Sequence, residues 1–345
     1  MSGQPSAKPV LAIVGATGAV GREILRVLEE RSVPVARLRL FASEKSAGAR
    51  VPFRGEEIAV ETIRDGAFRG LDAVLLSAGA TTSRRVVPQI VREGSLAIDN
   101  SSAFREDPNV PLVVPEINGR RAAEHRGTIA NPNCTAAILL MAIAPLHRAA
   151  RARRIAVASY QAVSGKGARA MDECVRQTRE VLDGKRAVPE VFPRPIAFNV
   201  LPLVDELTPD GRTREEIKVE NESRRILEDP ELRVDATCVR VPVLRCHSEA
   251  VSVGFDRPVS LDEARSLWAQ APGVQLVGDP PASGVPTPLD AEGRDPVLIG
   301  RLRASAVFDG GLSFFCVGDQ LRKGAALNAV QILEAVAPAA AKERR

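Results

Sequence analysis

The chain has 345 residues, 45% apolar and 26% charged, globular proportions that exclude wholesale disorder at a length that suggests two domains. Its 47 Lys and Arg against 43 Asp and Glu leave a net charge of +4, and aromatics make up 3%, so nucleic acid is not the expected partner. No apolar run is long enough to span a bilayer, Met1–Pro9 has no signal-peptide core, and the five cysteines (Cys134, Cys174, Cys238, Cys246, Cys316) are scattered without a CxxC pair; the reading is a cytoplasmic protein with no membrane, disulfide framework or metal site.

Taken in chain order, Val10–Val14 is a short apolar strand ending in glycine, and Val20–Leu28 follows with helical spacing. Further strands are expected at Leu38–Phe41, Ile58–Val60, Ala73–Leu76, Leu96–Ile98 and Leu112–Val114, with a helix at Thr82–Arg92. That alternation implies an α/β domain with a mostly parallel sheet covered on both faces. Beyond it, Thr135–Ala150 and Ala168–Leu182 read as helices around a β-rich Ile155–Val163, and Val188–Pro202 reads as an irregular excursion. Glu215–Leu227 is helical, and strands are expected at Ala236–Leu244, Ala250–Phe255, Val274–Val277, Val297–Arg303 and Leu312–Val317. Strands meeting without helices between them suggest antiparallel pairing, hence an α+β domain. The last helix, Lys323–Val336, is apolar enough to pack back onto the first domain, and the tail after Pro338 reads as frayed.

The first strand runs into Gly15-Ala-Thr-Gly18-Ala-Val-Gly21 and then a helix. Glycines there permit a tight turn and close approach of backbone to a pyrophosphate, and the helix start offers N–H groups to phosphate. After the second strand, Ser43, Lys45 and Ser46 flank Glu44; they are donors suited to a 2′-phosphate, which favours NADP over NAD.

Asn131-Pro132-Asn133-Cys134 precedes the apolar helix. Asn133 is a good cap, which leaves Cys134 in the first turn, where the helix dipole favours the thiolate, although an isolated cysteine there reads first as a small buried residue covering a helix end. Of three histidines, His125 and His147 read as surface or helix-end residues, and His247, between two β segments, is either a satisfied structural histidine or the acid/base partner of a thiol, for which there are few other candidates. Ser164-Gly165-Lys166 is not a P-loop, because the upstream glycine spacing is missing.

These motifs, with Asp99-Asn-Ser-Ser-Ala-Phe-Arg105, Tyr160-Gln161-Ala-Val-Ser-Gly165, Glu215-Glu-Ile-Lys218, Arg240 through His247 and Lys323-Gly-Ala-Ala-Leu-Asn328, come in an order that resembles the aspartate-semialdehyde dehydrogenases from Gly15 to about Glu334. The resemblance implies a Rossmann-like NADP-binding domain over 1–133, completed by about 322–345, and an α+β catalytic and dimerisation domain over 134–321. It implies a Cys134 nucleophile, Gln161 orienting the acyl group, His247 as acid/base, Arg240 on the substrate α-carboxylate, Glu215 on its amino group, and Arg105 with Lys218 on phosphate. Asn133 or its neighbours would offer N–H groups to the oxyanion. The cofactor would lie against Gly15, Thr17, Gly18, Ala19, Val20, Gly21, Ser43, Lys45, Ser46, Ser164, Gly165 and Gln320. Cys246 stands where the family usually has Gly or Ala, and Gln320 where Asn is common. The implied activity is NADPH-dependent reductive dephosphorylation of 4-phospho-L-aspartate to L-aspartate 4-semialdehyde by a homodimer, serving lysine, threonine and methionine synthesis. Rival readings are an N-acetyl-γ-glutamyl-phosphate reductase, whose cysteine usually follows Pro-Gly, and a catalytically silent NADP-binding paralogue.

Overall fold

The computed structural model describes residues 8–278 and 284–340, which form two compact units dividing at Pro132/Asn133 and again at Gly324/Ala325. Part of the expected frayed tail, residues 341–345, lies outside the described residues.

The first unit runs β1 (Val10–Val14), α1 (Ala19–Glu30), β2 (Arg37–Phe41), β3 (Arg50–Phe53), β4 (Glu56–Glu61), β5 (Ala73–Leu76), α2 (Ala80–Arg92), β6 (Leu96–Asp99), α3 (Pro115–Asn118) and β7 (Thr128–Ala130). Its seven strands are ordered β3-β4-β2-β1-β5-β6-β7, and all pairings are parallel except the β3–β4 hairpin. That hairpin turns on Arg54 and Gly55, both at positive φ (51° and 80°), a two-residue geometry whose twist matches its strands. The apolar run of β1 feeds two cores. Leu11 and Ile13 pack with Ile24, Leu28 and the C-terminal helix residues Val330 and Ile332. Ala12 and Val14 pack with Val86, Val87 and Ile90 of α2. Each fully buried Leu or Ile contributes roughly 1.5–3 kcal/mol, which is why this strand has no polar alternation.

One expectation fails here, and two strands were not foreseen. Leu112–Val114 is not a strand: only Leu112 bridges, to Ala130, because Pro115 starts α3 directly afterwards. β3 and β7 had no sequence signal, being a half-exposed hairpin arm and a three-residue segment.

The second unit runs α4 (Cys134–Ala150), β8 (Ala152–Gln161), α5 (Ala168–Leu182), α6 (Arg214–Ile226), β9 (Arg233–Arg240), β10 (His247–Phe255), α7 (Leu261–Gln270), β11 (Val274–Leu276), α8 (Pro288–Ala291), β12 (Val297–Ala304) and β13 (Leu312–Gly318). Its six strands are ordered β11-β12-β13-β10-β8-β9. The antiparallel expectation holds for β8, β10, β13 and β12. It is corrected for β9, parallel to β8, and for β11, parallel to β12. Between β8 and β9 the chain makes α5, the expected irregular excursion and α6, long enough for a crossover. The excursion still buries apolar groups: Phe192, Ile196 and Leu201 pack with Ala170 and Cys174. Helix α7 was missed, although Ser260 caps it by accepting the Glu263 N–H at 3.1 Å, a readable Ser-x-x-Glu start. Its Trp268 donates to Ala142 O at 2.8 Å and meets Phe314 edge-on at 5.1 Å, tying α7 to α4 and the sheet. A π-helical turn over Arg322–Ala326 leads into α9 (Leu327–Ala340), so the last regular helix starts later than Lys323. Among the described residues no helix is long and apolar enough to cross a membrane.

Candidate active site

Strand register assembles the second unit's site. Gln161 at the end of β8 pairs with Arg240 at the end of β9. Tyr160 pairs with Ser248 and His247 with Gly318, so His247 begins β10 at the same sheet end. Gly318 is required there, since a Cβ would lie 2.8 Å from Ile138 Cγ1 of α4.

Helix α4 supplies the thiol. Twelve of its 17 residues are buried and they surround the helix, as in a core helix rather than an amphipathic one. Asn133 caps it: Oδ1 accepts the N–H groups of Thr135 (2.9 Å) and Ala136 (3.1 Å). Cys134 is thus the first helical residue and the one cysteine of the five that is only half-buried. Gly324 leaves it room, for a Cβ there would sit 2.7 Å from Cys134 Cβ. Burial pushes the thiols of Cys174, Cys238, Cys246 and Cys316 above the ordinary range.

Around this helix start lies a buried polar network. Gln161 Nε2 donates to Thr135 Oγ1 at 2.7 Å, and lies 3.3 Å from both Ser159 Oγ and Glu215 Oε1. Glu215, 6% exposed, also accepts from Asn133 Nδ2 at 2.9 Å. Lys218 Nζ is 2.5 Å from Asp205 Oδ2 and 3.5 Å from Glu215 Oε2. One expectation is corrected: the Asn133 main-chain N–H is not an oxyanion donor, because it is bonded to Glu222 Oε2 at 2.5 Å.

His247 is fully buried. Its Nδ1 accepts the Ala162 N–H at 3.1 Å, while Nε2 has no hydrogen-bond partner. A ring nitrogen that accepts from a peptide N–H is unprotonated, so the neutral ring carries its proton on Nε2. Burial, reinforced by the Arg240 charge, holds the ring well below the usual 6.5; it is neutral at physiological pH. Arg240 is 6% exposed and its Nη1 donates to Ala162 O at 2.6 Å. Burial pulls the guanidinium below its ordinary 12.5, with Glu215 opposing. Gly165 packs on both: a Cβ would lie 2.8 Å from Arg240 Nη1 and 3.4 Å from His247 Nε2. A cavity of about 360 Å³ opens beside Arg240, walled by Lys166, Phe192, Val204 and Asp205.

In the first unit, Gly15 lies at φ +86°, where a Cβ would meet Ser77 O at 2.4 Å, and a Cβ on Gly21 would meet Gly15 O at 2.2 Å. Gly18 precedes α1 in an extended conformation without a side-chain cap. The N–H groups of Ala19, Val20 and Gly21 thus have no acceptor inside the helix. This cradle fits a dinucleotide pyrophosphate. Thr17 Oγ1 donates to Ser46 Oγ at 3.4 Å, joining the loop to the turn after β2, where Ser43 and Lys45 are exposed. Arg105 is 8% exposed and donates to Asn131 O (2.8 Å) and Asn100 O (2.7 Å).

Residues 10–125 match the profile described as semialdehyde dehydrogenase, NAD binding domain, and residues 143–323 the profile described as semialdehyde dehydrogenase, dimerisation domain. Aspartate-semialdehyde dehydrogenase of Synechocystis sp. is 49% identical over 324 residues, 94% of this chain and 96% of that one. That of Aquifex aeolicus is 46% identical over 94% and 96% of the two chains. The chain belongs to the aspartate-semialdehyde dehydrogenase family. Two crystal structures of aspartate semialdehyde dehydrogenase II from Vibrio cholerae, one complexed with ASA, match at TM-score 0.93 and 40% identity over 96% of this chain and 99% of theirs. The Rossmann-like first domain and mixed-sheet second domain follow the family fold.

The two departures from the usual aspartate-semialdehyde dehydrogenase pattern meet each other. Cys246 is not in a strand but in the turn before β10, at φ +75°, a left-handed position that explains why glycine suits it. Its side chain turns into an apolar cluster with Ala291, Leu298 and Val317, and its N–H donates to Gln320 Oε1 at 2.7 Å. Gln320 Nε2 in turn donates to Ser164 Oγ at 2.5 Å, so the longer amide spans from the His247 turn to the Ser164–Gly165 turn. Asp205 and Glu222 escaped the sequence reading, while Thr135, Ala162 and Gly324 stood in or beside its motifs without a role; Glu222 had a signal of its own, lying seven residues, two helical turns, beyond Glu215.

Proposed function

We propose that the protein interconverts L-aspartate 4-semialdehyde with phosphate and 4-phospho-L-aspartate, with NADP as redox partner, through a Cys134 thioester. The observation that carries this reading is the half-buried Cys134 at a capped helix start, in the same compact unit as Gln161, Glu215, Arg240 and His247. When bound, the nicotinamide exchanges the hydride. Cys134 Sγ attacks the carbonyl carbon, displacing phosphate from the acyl phosphate or adding to the aldehyde. The His247 Nε2–H donates a hydrogen bond to the oxygen on which charge builds, as a buried donor without a protein acceptor is poised to do. Gln161, fixed by Thr135, orients the acyl group. The Arg240 fork takes the α-carboxylate, with Ala162 O holding its position. Glu215 receives the substrate ammonium, and Arg105 and Lys218 serve the phosphate.

The adjacent Thr17 and Ser46, with Ser43 and Lys45, support NADP over NAD. The second copy of a homodimer fits the outer face of the six-stranded sheet, where Tyr160 is 40% exposed and Ala250, Ser252 and Phe315 are half-buried. Five free thiols suit the reducing cytoplasm. The deciding experiment follows NADPH consumption with 4-phosphoaspartate, N-acetylglutamyl phosphate and malonyl-CoA. Turnover of the first alone is expected; preference for either other substrate refutes the assignment.

A further inference from the structure

Glu222 takes no part in the roles above, yet it is 3% exposed and its Oε2 accepts the main-chain N–H of Asn133 at 2.5 Å. Glu215, two turns earlier on the same face of α6, accepts from the side-chain amide of the same asparagine at 2.9 Å. The amide oxygen of Asn133 holds the N–H groups of Thr135 and Ala136, and its carbonyl accepts the Ala137 N–H at 2.9 Å. Every polar group of Asn133 is thereby engaged, two of them by carboxylates of one helix. The residue so held, at φ −58° and ψ 141°, is the one whose ψ aims the chain into Cys134. Cutting the Glu222 bond would leave a buried peptide N–H unsatisfied directly before the thiol.

We propose that Glu222 is a positioning residue for the nucleophile, fixing the Asn133 peptide so that α4 starts in one geometry and presents Cys134 in one orientation. The inference rests on Cys134 being the nucleophile.

Glu222→Gln and Glu222→Leu in the full chain test it. The rate of iodoacetamide labelling at Cys134, located by peptide mapping, is followed against pH. This readout needs no substrate, so a protein inactive on aspartate semialdehyde would fail the functional reading while Glu222 is still judged. Gln keeps an acceptor for the Asn133 N–H, so its labelling rate and kcat stay within about twofold of wild type. Leu removes the acceptor, and kcat falls about 100-fold with KM for aspartate semialdehyde little changed, as a misplaced reacting group requires. A Gln variant as impaired as Leu, or wild-type labelling and kcat for a folded Leu variant, overturns the proposal. Should Leu prevent folding, Glu222→Asp takes its place: its shorter side chain withdraws the acceptor and should slow labelling and kcat, and wild-type values for it overturn the proposal.

Discussion

Replacing Gly165 with alanine adds one methyl group where the proposed substrate carboxylate and acyl oxygen are read. The backbone there lies outside the left-handed region, so alanine carries no conformational strain. The new Cβ lies 2.8 Å from Arg240 Nη1 and 3.4 Å from His247 Nε2 and Cε1. Arg240 cannot simply swing aside, since Nη1 is bonded to Ala162 O at 2.6 Å and the residue is 6% exposed. The guanidinium must retreat by roughly half an ångström to regain van der Waals contact, which bends that bond and moves the fork out of line with a carboxylate. Losing one hydrogen bond to a charged group costs about 1.5–3 kcal/mol, equivalent to a fall in kcat/KM of about 10- to 100-fold. The loss should fall mainly on KM for aspartate semialdehyde, because Arg240 grips substrate in ground and transition states alike. Urea unfolding should change by less than about 1 kcal/mol. Steady-state rates in the phosphorylating direction provide the assay. A Gly165→Ala enzyme within about twofold of wild-type kcat/KM would show that Arg240 does not bind the substrate as argued.

Arg240→Lys keeps the charge and loses the fork, so kcat/KM should drop despite a normal fold; Arg245 cannot substitute, being paired with Asp319 at 2.7 Å, and near-normal kinetics would remove Arg240 from the site. Substoichiometric alkylation at neutral pH should label Cys134 first and abolish activity in proportion, because the other four thiols are buried; labelling of Cys246 in step with inactivation would transfer the role. Cys134→Ala should end turnover yet still bind NADP, as equilibrium titration would reveal. Burial holds the Glu249 carboxyl well above its usual 4.5, so it stays protonated in the fold while the unfolded chain ionises. Its stabilising contribution is full below pH 4.5 and is lost as pH rises, at up to about 1.4 kcal/mol per unit. Glu249→Gln should therefore gain stability over wild type between pH 5 and 8 in urea unfolding; parallel pH curves for the two proteins would contradict this.

The sequence by itself determined what depends on near neighbours. The glycine loop, the Asn133 cap with Cys134 in the first turn, the continuous apolar strands β1 and β5, and the all-round apolar α4 follow from spacing and residue type, because turn chemistry and helix starts are settled within a few positions. The proposed site residues could be named only through several motifs in order, since taken alone Glu215 and Lys218 read as a solvated helix pair and Arg105 as a surface turn. Tertiary structure decided the rest. The parallel pairing of β9 with β8 depends on where a long crossover returns, and it is this register that sets Gln161 beside Arg240. The tautomer of His247 depends on the Ala162 N–H, 85 residues away in sequence, and the fate of the Asn133 N–H on Glu222, 89 residues away. Hydrogen bonds across such separations leave no periodicity in the chain, because what selects them is the cost of burying a polar group without a partner, and that cost arises only once the sheet and helices have excluded water.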